Sequence, residues 1–275
     1  SAMDYIGEFS EPFRWTADDL YHPDMKEYHE GNYSADNQFS DSNQNESRLW
    51  KYYEGIRKAS TFVNNVDLCP ELTMDEKTDM KGQARFLRAY CYWALMRVYG
   101  PVPLIPLEGL DVNLSYEELS LPREHFDVLV DFVDKELMEA ARSLPTKRTV
   151  NNLGRPTRGA ALGLRSRVLL FAASPLFNGN TDLFDVKDCY GNLLIAQEYD
   201  ESKWARAAAA ARDVIELAKS ADLYELYTIA PKATTLEWER PPYNDEYSNK
   251  TYPDGWADVD PLLSYKSIFD GTILG

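Results

Sequence analysis

The residues of this 275-residue chain best suited to recognition chemistry are aromatic and lie outside its helical patterns. Trp238, Tyr243, Tyr247, Tyr252 and Trp256 crowd one late stretch, interleaved with Asn244, Asp245 and Asn249. A second set sits near the start, where Trp15 and Tyr33 accompany Asp18, Asn37 and Gln38. Flat apolar ring faces flanked by carboxylates and amides suit a pyranose: the ring meets the sugar's C–H face and the polar groups meet its hydroxyls. Both sets are therefore candidate ligand-binding residues. The plainer alternative is that these rings pack the loops onto the rest of the fold.

Other chemistry has less support. No Ser/His/Asp order, HExxH, P-loop or GxGxxG pattern occurs. Glu237 and Glu239 beside Trp238 are the first suspects for paired-carboxylate hydrolysis, yet carboxylates in so acidic a chain are ordinarily solvated surface. Three histidines and three widely spaced cysteines give neither a metal-ligand spacing nor a disulfide framework. His22 and His29, seven apart, could share a helix face but read as solvated side chains. Cys91 falls on an apolar helical face, as a packed thiol does. The reading is a protein without catalysis, metal or cofactor.

Charge narrows the partners. With 29 Lys and Arg against 45 Asp and Glu, the net charge is −16, the wrong sign for gripping nucleic-acid phosphates. The longest dense apolar run, Val168 to Ala173, is far shorter than the roughly 18 residues of a membrane-spanning helix. No signal peptide is visible. The opening Ser1-Ala2-Met3 reads as an expression scar and both ends read as cuts.

The elements that must position the aromatic sets are helices. Leu49, Tyr53, Ile56, Ser60 and Val63 recur at steps of four and three, one face of a helix beginning near Glu46. A second helix is predicted from an N-cap at Thr73 to Tyr99, stopped by Gly100-Pro101. A third, from about Pro122 to Arg142, carries Phe126, Val130, Val133, Leu137 and Ala140 at the same steps. The fourth, Thr157 to Ser174, is apolar nearly all round and so central. The fifth starts at Asp200, an N-cap candidate, and runs to about Ser220, with the stripe Trp204, Ala208, Ala211, Ile215 and Ala218.

These stripes repeat. The third helix shifted back by 77 gives the first; shifted forward by 78 it gives the fifth. Ala84, Leu87, Cys91 and Leu95 of the second helix shift by 77 onto Ala161, Leu164, Val168 and Ala172, and Gly82 and Arg88 onto Gly159 and Arg165. Within a unit the two helices are offset by 35, near the roughly 34-residue register of tetratricopeptide hairpins. The expected fold is all-α: one domain over 1–275, truncated at both ends, with repeat units at about 46–99, 122–175 and 200–220 onward. A loop-rich aromatic insertion occupies about 221–262. The partner helix of the third unit is expected beyond Gly275 or from near Leu262.

Several phrases resemble a known family. Gly82-Gln83-Ala84-Arg85-Phe86-Leu87-Arg88-Ala89-Tyr90, followed by Tyr99-Gly100-Pro101-Val102-Pro103-Leu104-Ile105, is similar to the signature of the SusD/RagB family of outer-membrane glycan-binding lipoproteins. Trp50-x-x-Tyr53-x-x-Ile56, Gly154-Arg155-Pro156-Thr157-Arg158-Gly159-Ala160-Ala161, Ser174-Pro175-Leu176-Phe177 and Trp204 add to it. The match covers roughly 46–220. The resemblance implies a tetratricopeptide-like scaffold and a loop-rich second region. It also implies surface exposure through an N-terminal lipid anchor not present in this sequence. Its implied function is capture of oligosaccharide, or in some members peptide, for a SusC-like TonB-dependent transporter. The alternative is a tetratricopeptide-type interaction scaffold binding a protein or peptide segment. Arg85, Arg88, Arg155 and Arg158 are read as structural, pairing with interior carboxylates or carbonyls.

Overall fold

A computed structural model describes residues 48–111, 113–221, 224–232 and 240–269. Seven α-helices occur among them: α1 Arg48–Asn65, α2 Met74–Tyr99, α3 Tyr116–Leu119, α4 Phe126–Ser143, α5 Arg158–Ala173, α6 Ser202–Ser220 and α7 Pro261–Phe269. The described residues contain no strand, only isolated bridges at Asn178–Ala196 and Lys187–Leu193. The all-α expectation holds. The chain divides into two compact units, Ser1–Ala221 and Asp222–Gly275.

In the first unit α1, α2, α4, α5 and α6 pack in chain order, each long helix against the next. That is the stacking of helical hairpins the repeat predicts. Their limits follow from local chemistry. The Thr73 hydroxyl accepts from the Glu76 N–H while Glu76 accepts from the Thr73 N–H at 2.8 Å, so two otherwise unpaired amides are satisfied where α2 begins. At its end Gly100 takes φ +66° and donates to the Met96 carbonyl. Thr157 caps α5 through the Ala160 N–H, and the helix ends before Pro175.

Two expected limits move. α4 begins at Phe126, not near Pro122, because the Glu124 and Phe126 N–H groups bond to the carbonyls of Val102 and Leu194, outside any helix. His125 Nδ1 then takes the Asp127 N–H as the cap. α6 starts at Ser202, with Asp200 accepting from the Ser202 N–H at 2.8 Å. The four-residue α3, closed by a Ser115–Glu118 capping box, was not expected.

The stripes of α1 and α4 are the buried faces: Ile56, Ser60 and Val63, then Phe126, Val130, Val133, Leu137 and Ala140. The stripe of α6 is displaced by one residue. Ala207 and Ala210 are buried, Lys203, Val214 and Leu217 half-buried, whereas Trp204 is 40% and Ile215 51% exposed. The inner face of α6 thus lies at a shift of 77 from α4, the same shift that relates the other helices, and the expected 78 is corrected.

Several residues of the phrases that carry the resemblance help to build the core. Phe177 stacks on Phe126 with ring centroids 3.9 Å apart, and Trp93 meets Phe171 edge-on at 5.1 Å. Arg88, 1% exposed, donates to the Ile105 carbonyl at 2.8 Å and lies over the Phe132 ring. Arg85 and Arg88 reach the buried Glu136 at 2.5 and 3.5 Å. Tyr53 donates to the Pro103 carbonyl, and the Tyr92 hydroxyl accepts from the Ile105 N–H, each at 2.8 Å. The extended segment after Gly100 is thereby clamped to α1 and α2. Arg158 Nε donates to the Ala141 carbonyl at 2.9 Å, and the exposed Arg155 reaches Gln83 at 3.4 Å.

Candidate functional site

In the second unit residues 240–257 form a non-helical loop bonded to itself. Asn244 starts it: its backbone N–H donates to Ser248 Oγ, its carbonyl accepts from the Tyr247 and Ser248 N–H groups, and its side-chain oxygen accepts from Glu246 N–H. Such an Asx turn uses the side-chain acceptor internally, so Asn244 shapes the loop instead of offering that oxygen to a ligand. The chain then doubles back. Trp256 N–H donates to the Tyr247 carbonyl at 3.1 Å and Ala257 N–H to the Lys250 carbonyl at 2.9 Å. Gly255 sits where this return is tightest, because a Cβ there would overlap the carbonyl oxygens of Tyr247 and Lys250.

The loop's exit is anchored on α7. Asp260 Oδ1 accepts from Leu263 N–H, its backbone N–H donates to the Ile229 carbonyl at 2.7 Å, and Ser264 Oγ accepts from Ile229 N–H at 2.9 Å. These bonds explain why Ser264 and Asp260 are buried, with Leu262, Tyr265 and Phe269 outward.

On this frame Tyr243 is 67%, Tyr247 47% and Tyr252 40% exposed. The Tyr243 hydroxyl accepts from Asn249 Nδ2 at 2.7 Å, and Tyr252 N–H donates to Asp258 Oδ1 at 2.8 Å. Asp245 is exposed and Trp256 half-buried. One loop thus presents three accessible rings and free carboxylates on a hydrogen-bonded frame, a surface that can stack on an apolar ring face and bond hydroxyls beside it. Trp238, Trp15 and Tyr33, with Glu237, Glu239, His22 and His29, lie outside the described residues.

The first unit carries exposed rings that the sequence reading passed over. Tyr190 is 75%, Tyr199 65% and Phe184 64% exposed in the segment between α5 and α6. Tyr190 stands in a tight turn in which the Asp188 carboxylate accepts from the Tyr190 and Asn192 N–H groups and from Asn192 Nδ2. Those bonds, the Asn192 side chain foremost, hold the Asp188 carboxyl below its usual range. The signal was in the sequence: Asp188-x-Tyr190-Gly191-Asn192 places an aromatic among turn-forming acid and amide groups. Among the described residues no group of three or more His, Cys, Asp or Glu is arranged to hold a metal.

A family model described as "Starch-binding associating with outer membrane" matches residues 13–170, more than half of the chain. The chain belongs to the SusD-like family. A SusD-like protein of Bacteroides ovatus is 29% identical over 159 residues, 57% of this chain and 27% of its own. SusD-like protein P25 of Formosa agariphila is 26% identical over 143 residues, 50% of this chain and 26% of its own. The solved structure of BT4246 superposes with a TM-score of 0.65 at 27% identity, over 82% of this chain and 39% of that one. The matched stretches therefore cover about a quarter of the length of these two SusD-like relatives. The family match ends before the loop at 240–257.

Proposed function

We propose that the chain is part of a nutrient-binding protein that captures an oligosaccharide at the outer-membrane surface and passes it, unmodified, to a TonB-dependent transporter. The observation that carries this reading is the family match over residues 13–170, whose description joins starch binding to outer-membrane association. The exposed rings of Tyr243, Tyr247 and Tyr252 are the capture surface in this reading. A ring stacked on a sugar is a large contact made by a side chain with few rotamers, so it binds at low entropic cost. Surface exposure, the lipid anchor and the transporter belong to the same proposal.

The test is titration calorimetry of the intact chain against malto-oligosaccharides and a panel of other soluble glycans and peptides. Saturable binding of one glycan class is expected, weakened about tenfold or more by Tyr247→Ala or Tyr252→Ala, since one stacked ring contributes roughly 1–3 kcal/mol. Both variants should keep the wild-type melting temperature. Binding of peptides alone would move the reading to the interaction scaffold. Release of new reducing ends from the bound glycan would replace it with a hydrolase.

A further inference from the structure

The outer face of α1 differs from its counterparts in the repeat. Lys58, Phe62 and Asn65 shift by 77 onto Lys135, Glu139 and Arg142 of α4, and by 77 again onto Arg212, Glu216 and Lys219 of α6. In α4 and α6 this face is charged and pairs with itself, through Glu139 and Arg142 in one and through Arg212 and Glu216, 3.9 Å apart, in the other. In α1 both members of the α4 pair are replaced, by Phe62 and Asn65, and Phe62 stands 41% exposed. The first unit keeps the cation of this face and gives up its acid.

Against that face lies a groove of about 530 Å³, walled by Phe62, Val66, Cys69 and Leu72. Arg57 and Lys58, both exposed, line it as well. Lys58 meets Glu54 within α1 at 2.6 Å, an exposed pair of little worth that leaves the ammonium free to take a second acid. No acidic side chain is among the described residues that line the groove, in a chain where acids outnumber bases 45 to 29. An apolar groove flanked by cations fits an occupant that sets apolar rings beside carboxylates.

We propose that this groove is the docking site of the chain's own residues 4–13, with their rings in the groove and their acids against Arg57 and Lys58. Residues 1–47, which precede α1, hold eleven acids against two bases. Within them the run 4–13 carries Tyr5, Phe9 and Phe13 at a spacing of four, with Asp4, Glu8 and Glu11 beside them and no base. Residues 14–47 connect the run to α1, far more chain than the roughly 15 Å from Arg48 to Lys58 requires. A tethered segment meets the groove as an intramolecular partner, so a contact too weak to hold a free peptide still fills it. Docking there brings Trp15, two residues beyond Phe13, to the surface of the scaffold.

Cys69 reports on the groove. It lines the groove half-buried, while Cys189 is exposed and Cys91 buried, and its own bond to Glu71 is common to every variant below. Alkylation of the intact chain with the uncharged reagent N-ethylmaleimide, read by mass spectrometry, gives a rate for each thiol. Charge reversal on either side, Glu8→Lys with Glu11→Lys or Arg57→Glu with Lys58→Glu, should speed Cys69 about fivefold or more relative to Cys189. Phe9→Ala with Phe13→Ala, which leaves the charge alone, should do the same. Combining the two reversals should return Cys69 to the wild-type rate. Cys91 should stay unmodified throughout, the mark of an intact scaffold. Cys69 rates that ignore all three changes, or a combined variant as fast as either reversal, overturn the proposal. So does a wild-type Cys69 rate that slows as protein concentration rises, because the occupant would then be a second copy.

Discussion

At the scale of single residues, the buried polar groups of the scaffold act as fasteners. Arg85 and Arg88 stand beside one another on α2 and share Glu136 of α4, a carboxylate almost out of solvent. Their role was legible in the sequence, because charged side chains among buried neighbours must find partners or destabilise the fold. Their partner was not, since nothing local marks Glu136 as the one buried acid of α4. Tyr53 and Tyr92 carry a pH dependence of their own. Burial raises both phenols above the ordinary 10.0, Tyr92 to about 12. Below pH 10 folded and unfolded chains both hold these protons and stability is complete. Above it the unfolded chain releases them and the folded chain does not, so stability falls as pH rises toward the folded values. Tyr92 alone accounts for a loss of about 2–3 kcal/mol by pH 12. In an alkaline titration most of the 18 tyrosines should ionise reversibly while helical circular dichroism persists. The last should ionise only as the helix signal collapses. Ionisation of all of them before any loss of helix would contradict the buried clasp at Pro103 and Ile105.

At the scale of elements, the hairpin repeat was readable because apolar spacing and punctuation agreed: Thr73, Gly100, Thr157 and Pro175 bound helices whose stripes share a shift of 77. The phase of α6 was misread for a physical reason. Its five consecutive alanines look alike on neighbouring faces, and the aromatic Trp204 fits an apolar stripe better than the charged Lys203 beside it. In the fold Lys203 takes the place of Phe126 in the repeat and turns inward to Asp127. The same shift also relates two ion pairs, Arg88–Glu136 and Arg165–Asp213, so the repeat extends to its electrostatic joints. Two glycines test the helix packing in opposite directions. A Cβ at Gly82 would lie 2.9 Å from Ser143 Cβ and 3.1 Å from Leu144 Cγ, whereas one at Gly163 would meet nothing within 4 Å. Gly163→Ala should stabilise by about 0.5–1 kcal/mol through helix propensity. Gly82→Ala gains the same propensity but forces α2 off the end of α4, an overpacking cost of about 1–3 kcal/mol, and should be destabilising on balance. Urea unfolding midpoints of the two variants should fall on opposite sides of wild type.

At the scale of the whole molecule, the scaffold and the candidate surface lie in different compact units and are held by different forces. The first unit is secured by two apolar clusters, a large one and a smaller one around Ala140, Leu144 and Ala161. The loop of the second is secured by hydrogen bonds within its own backbone and by Asp260 and Ser264 at α7. That difference explains what the sequence showed of the site. Aromatic residues among Asn and Asp announced a loop, but helical periodicity has no counterpart there to say which rings turn outward. It could not separate Tyr243 and Tyr247, which do, from Trp256, which is half-buried and whose backbone closes the loop. The distinction can be measured. Gly255 carries no side chain toward a ligand, so Gly255→Ala can act on binding only through the backbone, by pushing the Tyr247 and Lys250 carbonyls apart. If the capture surface is a preformed frame, this variant should lower glycan affinity at least as far as Tyr247→Ala does. It should also speed amide exchange at Trp256 and Ala257, which Tyr247→Ala should leave unchanged. Affinity retained in Gly255→Ala despite faster exchange would mean that the rings bind without the frame.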